Sequence, residues 1–215
     1  MSPHRSDRRH HGWRWRHTRP WAPDRRPSVV IAFHSGYGHT AVLAEAVARG
    51  VASTSAEAVS FPVDAITDEQ WARLGAADAI IFGSPTYMGT TSAAFHTFAE
   101  AGPRRRAVQS WAGKVVAEFT NSDDKSFTLG SFATLAAQHG MHWVDLGPLP
   151  SRGSTTGSEN DLNRLGYFAG VGGRSPNDAG PEAVHKSDIA TAEHPGTLVA
   201  REAQIFAAGH VARAA

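Results

Sequence analysis

The chain has 215 residues, 41% of them apolar, with 21 Lys and Arg against 20 Asp and Glu, long enough to bury a real core and most simply one domain with a terminal extension. It holds no cysteine, which excludes disulfides, thiolate metal sites and cysteine nucleophiles. No apolar run approaches the ~20 residues of a membrane span, and no secretory h-region opens the chain, so a soluble cytoplasmic protein is expected.

The formal charge of +1 hides an asymmetry. Residues 1–27 carry eight arginines against Asp7 and Asp24, a net +6, and the remainder is mildly acidic at −5. This first stretch has Arg, His, Trp and Pro without apolar periodicity, and is expected to be a disordered basic extension preceding a folded domain over 28–215. A nucleic-acid role would rest on this tail alone, through Trp13, Trp15 and Trp21.

From Ser28 the chain alternates strand and helix. Val29–Phe33 reads as a strand and Thr40–Ser53 as a helix, followed by a weaker strand at Ala58–Val63 and a short helix opened by Thr67 or Asp68. Ala79–Gly83 is a third strand, Ser92–Ala101 a helix broken by Gly102-Pro103, Lys114–Phe119 a fourth strand, and Phe127–His139 a helix ended by Gly140. Met141–Leu146 reads as a fifth strand. The stretch from Pro148 to Pro195 shows no sustained period, and a last helix is expected over about Gly196–Ala212. This alternation argues for an α/β fold, a parallel sheet with helices on both faces.

Three polar loops follow strands one, three and four. Ser35-Gly36-Tyr37-Gly38-His39-Thr40 joins an apolar strand to a helix, placing backbone N–H groups, a helix dipole and two hydroxyls around a volume that suits phosphate. Gly36 to Ala41 also satisfies a dinucleotide fingerprint, with Asp64 about 25 residues on. Hydroxyls at both ends, the absence of Lys or Arg, and two further loops tilt the reading toward a mononucleotide. The second loop, Gly83 to Ser92, includes Pro85, Thr86, Tyr87, Met88 and Gly89 and could present amides and a flat surface to a ring; its plainer reading is a turn with Ser92 or a nearby Thr as helix cap. The third, Thr120 to Ser126, could reach a ribityl chain or pyrimidine edge, or Asp124 could simply cap the next helix. The loops converge if the strand order is 2-1-3-4-5. His139 and His142 lack a carboxylate pattern, so no metal is expected, and Ser35 has no nucleophile elbow around it.

Ser35 to Thr40 resembles the S-x-Y-G-H phosphate loop of the flavodoxin-like NAD(P)H:quinone oxidoreductases of WrbA type and their FMN reductase relatives. Gly83 to Gly89 is similar to that family's G-[ST]-P-T-R-[FY]-G, Thr97-Phe98 to its T-F, Gly113-Lys114 to its G-K, and His139-Gly140-Met141 to its H-G-M. The resemblance implies a three-layer flavodoxin-like sandwich with a five-stranded parallel sheet. It implies FMN, with Ser35, Gly36, Tyr37, Gly38, His39 and Thr40 at the phosphate, Pro85, Thr86, Tyr87, Met88 and Gly89 lining the isoalloxazine, and Thr120, Asn121 and Ser122 at the ribityl or pyrimidine side. His139 matches a histidine that approaches the flavin from a neighbouring subunit, which implies a dimer or tetramer. The expected activity is transfer of two electrons from NAD(P)H to a quinone or similar acceptor, the cofactor supplying the chemistry; the alternative is an FMN-binding electron carrier. Three departures stand out. Tyr87 replaces the family arginine, Asp123 and Asp124 stand in a loop that is glycine-rich elsewhere, and Arg104–Arg106 fall near the aromatic residue that roofs the family's substrate site.

Overall fold

The computed structural model describes residues 25–102, 108–123, 125–148, 150 and 154–214. The expectations for residues 1–24, for the break at Pro103, for Arg104–Arg106 and for Asp124 lie outside the described residues. β1 (Ser28–Phe33), β2 (Glu57–Pro62), β3 (Ala79–Tyr87), β5 (Val115–Asn121) and β6 (His142–Trp143) form a parallel sheet in the order β2-β1-β3-β5-β6. β4 (Thr90–Thr91) is only the antiparallel return of a hairpin on β3. Counted without it, the order is the 2-1-3-4-5 expected from the sequence.

The central strands are buried on both faces, which is why β1, β3 and β5 read as nearly unbroken apolar runs. Along β1 the side chains alternate between two cores. Val29 and Ile31 meet α1 (His39–Ala52) and α5 (Lys186–Ala214), while Val30 and Ala32 meet the layer of α2 (Asp68–Ala76), α3 (Ala93–Glu100) and α4 (Ser126–His139). Aromatic edges knit the second layer, with Phe95 and Phe132 rings 4.9 Å apart. In the first layer α1 and α5 pack backbone to backbone. A Cβ on Gly50 would stand 1.9 Å from the Glu193 carbonyl oxygen, and one on Gly196 would stand 2.2 Å from that of Val47.

Four expectations are corrected. The second loop is largely strand: β3 runs to Tyr87 and turns through only Met88 and Gly89, because Gly83, Ser84 and Pro85 continue the pairing with Phe119, Thr120 and Asn121 of β5, and Thr86 and Tyr87 pair with β4. The fifth strand is divided. β6 pairs with Val115 and Val116, the chain then leaves the sheet, and β7 (Val171–Gly173) returns to pair with Phe119, Thr120 and Asn121 on the same edge. The ends of this excursion meet where the Leu146 N–H donates to the Phe168 carbonyl at 3.0 Å. The last helix begins at Lys186 and runs through Pro195-Gly196, a pair that ordinarily stops a helix; close contact of Gly196 with α1 outweighs that tendency. The folded part also begins earlier than Ser28, since the Arg25 guanidinium grips Asp78 with bonds of 2.6 and 2.7 Å.

These registers bring the carboxyl ends of β1, β3, β5 and β7 to one edge of the sheet, where open α/β sheets bind ligands.

Candidate functional site

The helices differ in how their N-termini are treated. α2 has a full capping box between Thr67 and Gln70, with Asp68 and Glu69 in its first turn. α3 is capped by Ser92, which confirms the plainer reading of that residue. α1 and α4 start at the loop cluster, and among the described residues neither has a bond from its N-cap side chain or an acidic residue in its first turn. Both point their positive ends toward the same edge of the sheet.

In loop one, residues 35–40, the Ser35 hydroxyl accepts the Ala41 N–H at 3.1 Å. Gly38 stands at φ +90°, a conformation that disfavours any side chain, and a Cβ there would also meet Pro181 at 2.4 Å. Thr40 is buried and Tyr37 is 77% exposed. The His39 ring is buried too, with Nε2 3.0 Å from the carbonyl oxygens of both Ala179 and Gly180. Both acceptors are carbonyls, so Nε2 carries a proton and this ring edge faces the 179–180 backbone.

Tyr87, standing where the resembling family has arginine, crosses from the hairpin to loop one. Its hydroxyl accepts the Gly36 N–H, and burial raises its pKa. Its ring meets those of Tyr37 and His34 edge-on at 6.1 and 6.5 Å. At the hairpin tip Met88 has φ 49° and a fully exposed side chain, followed by Gly89 at φ 85°. Both central residues in the left-handed region make this a type I′ two-residue turn.

The Thr86 hydroxyl lies 2.9 Å from that of Thr120 and 2.7 Å from that of Thr128, all three buried. These hydroxyls serve one another, and Thr120 lies in β5 between Ser84 of β3 and Gly172 of β7. Asn121 is the last residue of β5, and its Oδ1 accepts the Ser175 hydroxyl at 3.3 Å. The Ser122 N–H donates to the Gly173 carbonyl at 3.0 Å. Pro85 is buried in β3 opposite Asn121. His139 is not brought to this edge. It ends α4 at the other side of the sheet, 6% exposed, with its ring 4.5 Å from that of Trp111.

The structure adds residues that sequence reasoning missed. Lys125 is 1% exposed, its ammonium 5.1 Å from the Tyr167 ring centre, and burial draws its pKa down to about 8. Arg174, directly after β7, pairs with Asp123 at 2.5 Å, so one of the two added carboxylates is neutralised. Asp188 accepts from Arg164 twice at 2.7 Å and from the Arg174 N–H at 2.9 Å. The only signal in the sequence was Gly172-Gly173 behind a valine: a Cβ on Gly172 would meet Lys125 Cδ at 2.5 Å.

Neutral N–H and O–H donors, two helix N-termini and no acidic residue in loop one suit a phosphate monoester. The groups beside it, an exposed thioether and a phenol ring with loop-three amides behind, suit a flat ring system.

A family model described as NADPH-dependent FMN reductase matches residues 37–146. The chain is 39% identical over 180 residues to flavodoxin FldP of Pseudomonas aeruginosa, an alignment covering 82% of this chain and 96% of that one. It is 31% identical over 206 residues to an NAD(P)H dehydrogenase (quinone) of Syntrophobacter fumaroxidans, covering 82% and 97%. Among solved structures it superimposes on a flavodoxin, WrbA-like protein from Agrobacterium tumefaciens with a TM-score of 0.67 at 35% identity, covering 84% of this chain and 99% of that one. The chain belongs to the flavodoxin-like NADPH-dependent FMN reductase family. Membership makes it an FMN-dependent oxidoreductase with NAD(P)H as its reductant. No described helix is long and apolar enough to cross a membrane.

Proposed function

We propose that the protein takes reducing equivalents from NAD(P)H through FMN and delivers two electrons to a quinone or similar acceptor. The observation that carries this reading is the convergence of the α1 and α4 N-termini, neither with an acidic residue in its first turn, on the loop cluster at the carboxyl ends of β1, β3 and β5. When bound, FMN supplies the hydride and electron chemistry. Ser35, Gly36, Tyr37, Gly38, His39 and Thr40 form the phosphate loop, with backbone amides and the Ser35 and Thr40 hydroxyls as donors. Pro85, Thr86, Tyr87, Met88 and Gly89 offer the ring its wall. Thr120, Asn121 and Ser122 close the remaining side. Amides at the start of α4 offset negative charge that develops on a reduced ring. The likeness to a quinone dehydrogenase supports the choice of acceptor. Assembly into a dimer or tetramer is the context in which a neighbouring copy's His139 would act, although the ring is buried in its own subunit.

A second reading, an FMN-binding electron carrier, is favoured by the relative named flavodoxin. One experiment separates the two. Protein loaded with FMN is mixed anaerobically with NADPH or NADH, and its absorbance is followed. Bleaching within the mixing time, with recovery on adding benzoquinone, is the expected result. Reduction by dithionite but by neither nicotinamide would establish the carrier, and failure to bind FMN would dispose of both.

A further inference from the structure

The segment after β7 runs from loop three to loop one. At its start the Gly173 carbonyl accepts the Ser122 N–H, Ser175 donates to Asn121, and Arg174 pairs with Asp123. At its end Ala179 and Gly180 both receive the His39 ring N–H at 3.0 Å, and Pro181 fills the space above Gly38. Its root is the buried Asp188 in the first turn of α5, held by Arg164 and by the Arg174 N–H.

We propose that residues 174–182 are a clasp that sets how firmly the protein retains a phosphate-bearing flavin, and that His39 is its fastening. This rests on the FMN-binding reading and assigns His39 a different task from the phosphate ligand that the family resemblance implies. The ring is buried and spends Nε2 on two carbonyls that belong to the clasp. Through that bond the clasp holds the first turn of α1 in the shape that aims its amides outward. A loop ordered in advance binds more tightly than one that must be ordered by its ligand. His39 is therefore a positioning residue, acting through loop one.

The clasp acts on the phosphate loop, so its loss should be felt by FMN and not by riboflavin, which has the same ring and no phosphate. Dissociation constants for both flavins are measured by fluorescence quenching in wild-type protein and in His39→Ala, His39→Gln and Pro181→Gly. The expected result is about tenfold or greater weakening for FMN in His39→Ala, a smaller loss in Pro181→Gly, and riboflavin unchanged. His39→Gln, which keeps an N–H donor, should recover most of the affinity. Pro181→Gly leaves loop one itself intact, so it tests the clasp even where His39→Ala fails to fold. Wild-type-like FMN binding in both His39→Ala and Pro181→Gly, or equal weakening for the two flavins, would overturn the clasp and leave the FMN reading standing. A wild-type protein that binds no FMN would overturn both.

Discussion

Glu118 sits on β5 with 1% exposure, and neither carboxylate oxygen has a hydrogen-bond partner among the described residues. Gly170 packs so closely that a Cβ there would lie 2.6 Å from Oε1. Burial, with a smaller contribution from Asp145, pushes its pKa well above the ordinary carboxylate value. The neutral form is favoured in the fold, while the unfolded chain ionises at about 4.3. Stability is therefore complete at acid pH and declines as pH rises from there toward the raised folded value. Glu118→Gln removes that slope. It should match wild type near pH 4 and melt about 3–10 °C higher at pH 8, a gain of roughly 1–3 kcal/mol, as thermal melts at both values would show. Coincident melts at pH 8 would mean that the carboxyl is solvated. Nothing in the sequence marked this residue: one glutamate in an apolar strand has no periodic signature, and its isolation depends on a glycine 52 positions later.

The β3–β4 hairpin shows a local preference overruled. A type I′ turn favours Asn-Gly, because a side chain at positive φ costs about 1 kcal/mol or more that asparagine largely escapes. Here the first position is Met88, with its thioether wholly in solvent. Met88→Asn should raise the melting temperature by about 2–4 °C and slow quinone reduction, since backbone strain at a site's rim is commonly retained for function. A variant both more stable and equally active would show that the thioether has no task. Strand and helix positions were legible wherever the apolar period was strong, as in β1, α1 and β3 up to Gly83. The rest of the hairpin was hidden because Ser84-Pro85-Thr86-Tyr87 carries loop chemistry, and only pairing with β5 and β4 makes it strand. Likewise Pro195-Gly196 reads as a stop, and only the neighbouring α1 explains why it is not.

At the scale of the whole molecule, the site depends on how α1 is held against α5. Gly50→Ala forces a methyl into the Glu193 carbonyl, and overpacking of this kind costs on the order of 1–3 kcal/mol or more. The same displacement moves the helix whose first turn forms the phosphate loop. Gly50→Ala should therefore lower the melting temperature and weaken FMN together, measured by calorimetry and flavin titration. A melt lowered with FMN affinity intact would mean that the two ends of α1 are uncoupled. The convergence of loops one, two and three was legible because strand order follows from the βα alternation. The segment that joins loops one and three was not, because its contacts link residues some 140 positions apart and its composition has no period.

The divided fifth strand has a consequence for how such a chain can vary. Its excursion leaves and rejoins the sheet at neighbouring points, Leu146 and Phe168 being hydrogen-bonded to each other. A loop with coincident ends adds little entropy on lengthening, about 0.6 kcal/mol for each doubling. Insertions before Asn163, which leave Arg164 on Asp188 and Tyr167 beside Lys125, should therefore keep the register of β7 and the spacing of the site. The part of the excursion before Asn163 is thus where a foreign peptide could be grafted without disturbing the neighbouring chemistry.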